Sequence, residues 1–283
     1  MDRSRPPYRR YLTGGLVFLV TLAAARTGGA APLLRVCADP NNLPFSNAKG
    51  EGLENALARL VAHELGAELA YAWMPQRRGF VRTTLNAGLC DVIMEVPAGY
   101  ERTATTRPYY ESRYVFVSRQ DRHLAIRSLD DPALSRLRIG VQLVGDDYAN
   151  PPPVEALSRR GLTDRVVGFP VYGDYAKPNP LAPIMQAVER GEVDLAIVWG
   201  PLAGWWARQG SVPLTIAPVS PATDRDGLPL SFRIAMGVRR GDSALRDRLD
   251  LVLRTRRREI EAILRSYGVP SSSFVTSRES RSQ

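Results

Sequence analysis

Histidine, lysine and cysteine are almost missing from this chain. Each occurs twice in 283 residues, as His63 and His123, Lys49 and Lys177, and Cys37 and Cys90. Neither histidine suits a metal site: His63 falls on the polar side of a helical segment and His123 in a charged loop, and two imidazoles cannot build a His-rich centre. Nor do they offer a Ser/His or Cys/His nucleophile pair. No GxSxG or GxxxxGK occurs, and no GxGxxG opens a helix after the first strand, so the glycine scaffolds of acyl-transfer, P-loop and dinucleotide chemistry are lacking. Acidic pairs such as Asp130–Asp131 and Asp146–Asp147 read as solvated loop carboxylates. The expectation is a protein with no catalytic residues, no cofactor and no metal: a binder, not an enzyme.

With so little lysine, the formal charge of +9 rests on arginine, a bias that points to a GC-rich genome and not to a nucleic-acid partner. The densest run, RTRRR (254–258), sits in a helical pattern with Leu249, Val252, Leu253, Ile260 and Ile263 on the inner side. It reads as a solvated face.

A membrane-length apolar run is also missing. LVFLVTLAAA (16–25) is about ten residues, half of the roughly 20 a spanning helix needs. Behind Arg3, Arg5, Arg9 and Arg10, and ahead of the small residues AAARTGGAA (23–31), it reads as a signal peptide over 1–31. Cleavage fits after Ala25 or Ala30, and Arg9–Arg10 leaves both the general secretory and twin-arginine routes open. Export removes five Arg and one Asp, lowering +9 to +5, and places the mature chain in the periplasm with no transmembrane helix.

What remains is regular. LLRVCAD (33–39), AELAYAWMP (67–75) and CDVIMEVP (90–97) read as buried strands. GLENALARLVAHELG (52–66) and GFVRTTLNAG (79–88) read as the helices between them, each stopped by glycine. This is βαβ patterning, and hence a parallel sheet. The pattern then recurs: LRIGVQ (137–142) matches LRVCAD, and VERGEVDLAIVWGP (188–201) matches LNAGLCDVIMEVP (85–97). The repeat is too long for a solenoid and indicates two lobes. Strands LTIAPVS (214–220) and LSFRIAMGVRRGD (230–242) and a helical stretch over 243–267 cannot make a third lobe, so they complete the first two. The expected division is lobe 1 over 32–120, lobe 2 over 121–220, lobe 1 again over 221–270, and a disordered tail over 271–283. The chain crosses near 119–122 and returns near 220–226. Two crossings make a hinge, and two lobes on a hinge make a cleft.

Ligands of such sheets lie beyond the strands' carboxyl ends, here PNNLPF, WMPQRR, EVPAGY, QLVGDD and WGPLAGWW. The cleft candidates are Asp39, Asn41, Asn42, Phe45, Gln76, Arg77, Arg78, Tyr100, Tyr109, Gln142, Asp146, Asp147, Trp199, Trp205 and Trp206. Trp73 and Tyr110 border the same region, and packing is an equal explanation for the aromatic set. Cys37 falls late in its strand and Cys90 opens another. With those strands parallel, four residues of offset at about 3.3 Å each exceed the reach of a disulfide. Free, buried thiols are expected.

The stretches LRVCADPNNLPFSN, WMPQRRGFVRTTLNAGLCDVIMEVPAGY, TTRPYYESRYVFV, GVQLVGDDYANPPP and VDLAIVWGPLAGWW resemble one subfamily of the periplasmic solute-binding proteins of type II topology. It is the quinoprotein dehydrogenase-associated J proteins, XoxJ/MxaJ type, found beside pyrroloquinoline quinone (PQQ) methanol dehydrogenases. The resemblance runs from about Leu33 to YGVP (267–270). It implies an α/β fold of two lobes, each a mostly parallel sheet flanked by helices, with a cleft between. It also implies a monomeric accessory factor that binds the methanol dehydrogenase, with its cytochrome c, to assist maturation or activation. The family's amino-acid binders hold the ligand carboxylate with an arginine, but Arg102 here stands only six residues before Pro108. Their ammonium-binding aspartate is replaced by the ending Trp199-Gly200-Pro201, and their neutral lobe 2 turn by Gly145-Asp146-Asp147. A free amino acid is therefore not the expected ligand. Two other readings stay open: a small-molecule receptor for an ABC transporter or signalling system, and a carrier of the quinone or a metal. A peptide segment fills the cleft in the accessory reading and a small molecule in the receptor reading, and no metal-ligand spacing supports a carrier of ions.

Overall fold

The computed structural model describes residues 31–143, 150–170 and 175–269. Residues 1–30 of the expected signal peptide, the tail 271–283 and the candidates Asp146 and Asp147 lie outside the described residues. Among the described residues no helix is long and apolar enough to cross a membrane.

Two sheets share one strand. The first contains β1 (Leu33–Ala38), β4 (Glu68–Trp73), β5 (Val92–Pro97), β6 (Ala104–Thr105) and β12 (Ser231–Val238); the second contains β8 (Ile139–Leu143), β9 (Val166–Pro170), β10 (Leu195–Trp199) and β11 (Leu214–Pro218). Between them runs β7 (Tyr110–Arg119), giving the order β4-β1-β5-β12-β7-β10-β8-β9. The repeated units supply the parallel pairs, β4 with β1 with β5 and β9 with β8 with β10, while β12, β7 and β11 run antiparallel. Tyr110–Arg113 of β7 pair with β12; from Tyr114 onward β7 lies between β10 and β11. The exchange of partners thus occurs inside one continuous strand.

Both faces of each sheet are covered, as parallel strands buried on two sides require, one face of the first sheet by the short stretch around Phe80, Val81 and Leu85. In the first half α1 (Leu53–Glu64), α6 (Ser243–Thr255) and α7 (Arg257–Ser266) bury Leu57, Val61, Leu249, Val252, Ile260 and Leu264 against β1 and β5. In the second, α3 (Pro152–Ser158) covers one face, and α4 (Ala182–Glu189) with α5 (Gly200–Gln209) covers the other. The segment GFVRTTLNAG is helical only over α2, Phe80–Thr83, and turns follow.

Those turns overturn the expectation of free thiols: Cys37 and Cys90 form a disulfide, with Cα atoms 5.4 Å apart. An offset of four residues holds only where Cys90 is the first residue of a ladder. Instead β5 begins at Val92, Cys37 faces Ile93 across the ladder, and Cys90 lies in the preceding turn. Strand rise does not apply to a residue off the strand. Both cysteines are fully buried beside Phe80, Leu85 and Ile93.

Candidate functional site

The carboxyl ends of β5 and β10 meet where β7 changes sheets. A cavity of about 300 Å³ lies there, lined by Glu95, Val96 and Pro97 of β5, Tyr114 of β7, Trp199 of β10, and Phe232 and Ile234 of β12. Trp199 organises its walls. Its ring meets Tyr114 edge-on at 5.4 Å and Phe232 at 5.9 Å between centroids.

Glu95 gives this apolar cavity its one carboxyl group. Its Oε1 is shielded from solvent and has no hydrogen-bond partner, and the same holds for Oε2 of Glu54 on α1. Burial disfavours the charged form and pushes the Glu95 carboxyl up to about 7. Burial also pushes Glu54 well up, and the charge on Glu95 adds to it. Ring faces attract cations, so the cavity's chemistry favours a positively charged, partly apolar group.

Beside it lies a polar floor built by the turn after β1. Asn55 of α1 fixes that turn: its Oδ1 accepts from the backbone N–H of Asn47 at 3.1 Å and of Gly52 at 3.0 Å. The short hairpin β2 (Asn41–Asn42) and β3 (Ser46–Asn47) is thereby held against the helix. Asp39, 1% exposed, accepts from the N–H of Asn41 at 2.8 Å, the N–H of Gln76 at 2.7 Å and the hydroxyl of Tyr175 at 2.6 Å. Asn42 Nδ2 donates to Gln76 Oε1 at 3.2 Å.

Tyr175 comes from the other half of the molecule, on the segment between β9 and α4, and that segment makes further bonds to the floor. Asn41 Nδ2 donates to the carbonyls of Lys177 at 2.8 Å and Tyr175 at 3.4 Å, and Asn41 Oδ1 accepts from the N–H of Asn179 at 3.2 Å. The Arg77 guanidinium lies 5.3 Å from the centre of the Tyr175 ring. Phe45 packs against the core around α4 and β10 from the opposite side. The cleft therefore carries its own bridge of aromatic and polar contacts.

The candidates thus fall into distinct places. Asp39, Asn41, Asn42, Gln76 and Arg77 gather under Tyr175; Trp199 lines the cavity; Phe45 spans the cleft. Arg78 is exposed next to Arg77, and Gln142 is half-buried one residue before the end of β8. The other aromatics point elsewhere. Tyr100 packs on the core around the disulfide, and Tyr109 is buried with its hydroxyl donated to the Met94 carbonyl at 2.9 Å. Trp206 on α5 donates to Glu189 Oε1 at 2.7 Å, and Trp205 stands next to it. Neither tryptophan of α5 lines the cavity. Glu95, Tyr114, Phe232 and Tyr175 were not among the candidates. An acid inside the apolar run VIMEVP was the available signal for Glu95. Among the described residues, no three His, Cys, Asp or Glu side chains converge to hold a metal ion.

Known proteins share this architecture along nearly the whole chain. "Protein MoxJ" of Methylorubrum extorquens strain AM1 is 33% identical over 249 residues, covering 85% of this chain and 82% of that protein. The crystal structure of MxaJ from Methlophaga aminisulfidivorans MPT superposes with a TM-score of 0.72 at 29% identity, covering 84% of this chain and 99% of that one. That of the periplasmic binding protein XoxJ from Methylobacterium extorquens AM1 superposes at 0.69 with 37% identity, covering 86% and 100%. With residues 34–269 matching the family model from the first core strand to the end of the last helix, the chain belongs to the bacterial extracellular solute-binding proteins, family 3.

Proposed function

We propose that the protein is a periplasmic accessory factor of a PQQ-dependent methanol dehydrogenase. It grips an exposed segment of the immature enzyme, with the cleft or its rim, while cofactor and metal are installed. An amino-terminal signal peptide delivers it. The two lobes, over 32–120 with 221–270 and over 121–220, close on their hinge to supply the clamp. The observation that carries this reading is Trp199 in the cavity wall of a chain similar along its length to proteins named MoxJ, MxaJ and XoxJ. A tryptophan face at this point cannot neutralise an amino acid's ammonium as a carboxylate does, whereas Trp, Tyr and Arg are the residues that anchor protein segments. Lining the cavity with Glu95 suits a basic side chain on the gripped segment.

The test is a pull-down from periplasmic extract with the tagged mature protein, residues 32–283, read by mass spectrometry. A dehydrogenase subunit retained in stoichiometric yield is the expected result. No protein partner, with a small molecule co-purifying instead, overturns the reading in favour of a solute receptor. The double variant Arg77→Ala with Arg78→Ala should weaken retention about tenfold, the equivalent of about 1.4 kcal/mol. Undiminished retention would place the contact away from this rim.

A further inference from the structure

A second cavity, of about 550 Å³, lies away from the cleft and is walled by Arg82, Asn86, Arg102, Arg239 and Arg240. Topology explains how four arginines from three segments meet. Strand β12 runs antiparallel to β5, with Val238 opposite Val92, so Arg239 and Arg240 leave the sheet at the amino end of β5. Pro97, which lines the cleft cavity, is at the other end. The loop after β5 turns back, and β6 pairs Ala104 with Val238 and Thr105 with Gly237, carrying Arg102 to the same edge. Arg82 on α2 and Asn86 in the following turn close the wall.

The positive charge there is largely unmatched. Arg239 is held by Asp91 at 3.0 Å and Asp242 at 3.6 Å, and Asp91 is shared with Arg35 at 2.7 Å. Arg240 donates to the backbone carbonyl of Glu101, which carries no net charge. Among the described residues, Arg82 and Arg102 pair with no carboxylate, and Arg82, Arg102 and Arg240 are all exposed. The acids nearest in sequence or contact are Asp91, Asp242 and Glu101, and the first two are already engaged by Arg239.

Guanidinium groups present paired N–H donors that match the two oxygens of a carboxylate or phosphoryl group. Several around one concavity focus a positive potential into it, and Asn86 adds a neutral donor. The geometry points to a binding site for a small oxyanion with two or more negative charges. Carboxylates and phosphates share this chemistry. Arg102, displaced from the family's ligand clamp, has its role here. The inference is independent of the proposed function, because none of these residues lines the cleft cavity or the floor beneath Tyr175.

The test is calorimetric titration of the mature protein, residues 32–283, with citrate and separately with inorganic pyrophosphate, in a low-salt chloride buffer. Sodium chloride at matched ionic strength is the control. Saturable one-site binding of either probe is expected, with a rise in melting temperature by mass action; the probe that binds better identifies the carboxylate or the phosphoryl group as the preferred source. Arg82→Gln with Arg102→Gln should weaken binding at least tenfold. Both side chains are exposed, so an unchanged circular dichroism spectrum and melting temperature without ligand will verify folding. No saturable binding of either probe overturns the site, as does binding undiminished in the double variant or a melting shift reproduced by chloride alone.

Discussion

Glu95 is held in a place where its charge is costly, and that makes it a titrating element of stability. Its carboxyl sits at about 7 in the folded protein against an ordinary 4.5, so between those values the folded state keeps a proton that the unfolded chain releases. Stability is then fully present below about pH 4.5, falls by about 1.4 kcal/mol per pH unit through the window, and levels off above about pH 7. Glu54 from α1 faces the same interior and acts with the same sign. Tyr109 and Tyr110 are pushed up by burial and stay neutral throughout. Glu95→Gln, which keeps the shape and removes the proton, should flatten the melting temperature between pH 5 and 7. A slope equal to the parent's would mean that this carboxyl does not titrate there. The residue was legible as an anomaly, an acid in VIMEVP. Its cavity was not, because Tyr114 and Phe232 lie on strands that meet β5 and β10 only in the folded sheet order. Cys90 shows the same limit, since its distance to Cys37 depends on where β5 begins.

At the scale of elements, one buried ion pair ties the second half together. Arg160, just past α3, donates both terminal nitrogens to Asp224 at 2.6 and 2.8 Å and its Nε to Asp130 at 2.8 Å. The Asp224 side chain is 1% exposed, and the Arg160 guanidinium holds its carboxyl below the usual value. Removing one partner of such a pair leaves a buried charge uncompensated, at a cost of about 3 to 5 kcal/mol. Asp224→Ala should lower unfolding free energy in urea by about 3 kcal/mol, near the bottom of that range because Asp130 remains. A loss below about 1 kcal/mol would mean that Asp130 alone satisfies Arg160. The repeated βαβ units were readable from Leu53, Leu57 and Val61 at helical spacing and from the twin runs DVIMEVP and DLAIVWGP. Strand β7 lies in the aromatic run TTRPYYESRYVFV, which is silent about which neighbours a strand takes, so nothing marked Tyr114 as the point of exchange.

For the whole molecule, the segment carrying Tyr175 bonds one lobe to the other. Its hydroxyl reaches buried Asp39 across the cleft at 2.6 Å, and a side-chain hydrogen bond contributes about 0.5 to 1.5 kcal/mol. For the proposed clamp, Tyr175→Phe should therefore shift the balance between closed and open forms about fivefold towards open. Small-angle scattering would register this as a larger radius of gyration, and an unchanged radius would remove Tyr175 from the closing contacts. No local pattern in DYAKPNP announces such a partner, since the contact is made only once both lobes are folded.

The shared strand also bears on how this chain can be divided. A fragment over 121–220 discards β7, stripping β10 and β11 of the strand both pair with and leaving two bare hydrogen-bonding edges that invite association. Starting the same fragment at Tyr110 retains the ladder. The shorter piece should be recovered as aggregate and the longer as soluble protein. If both stay soluble and monomeric by light scattering, β7 is dispensable to the second sheet. Shared ownership of one strand would also make the halves melt as a single cooperative unit.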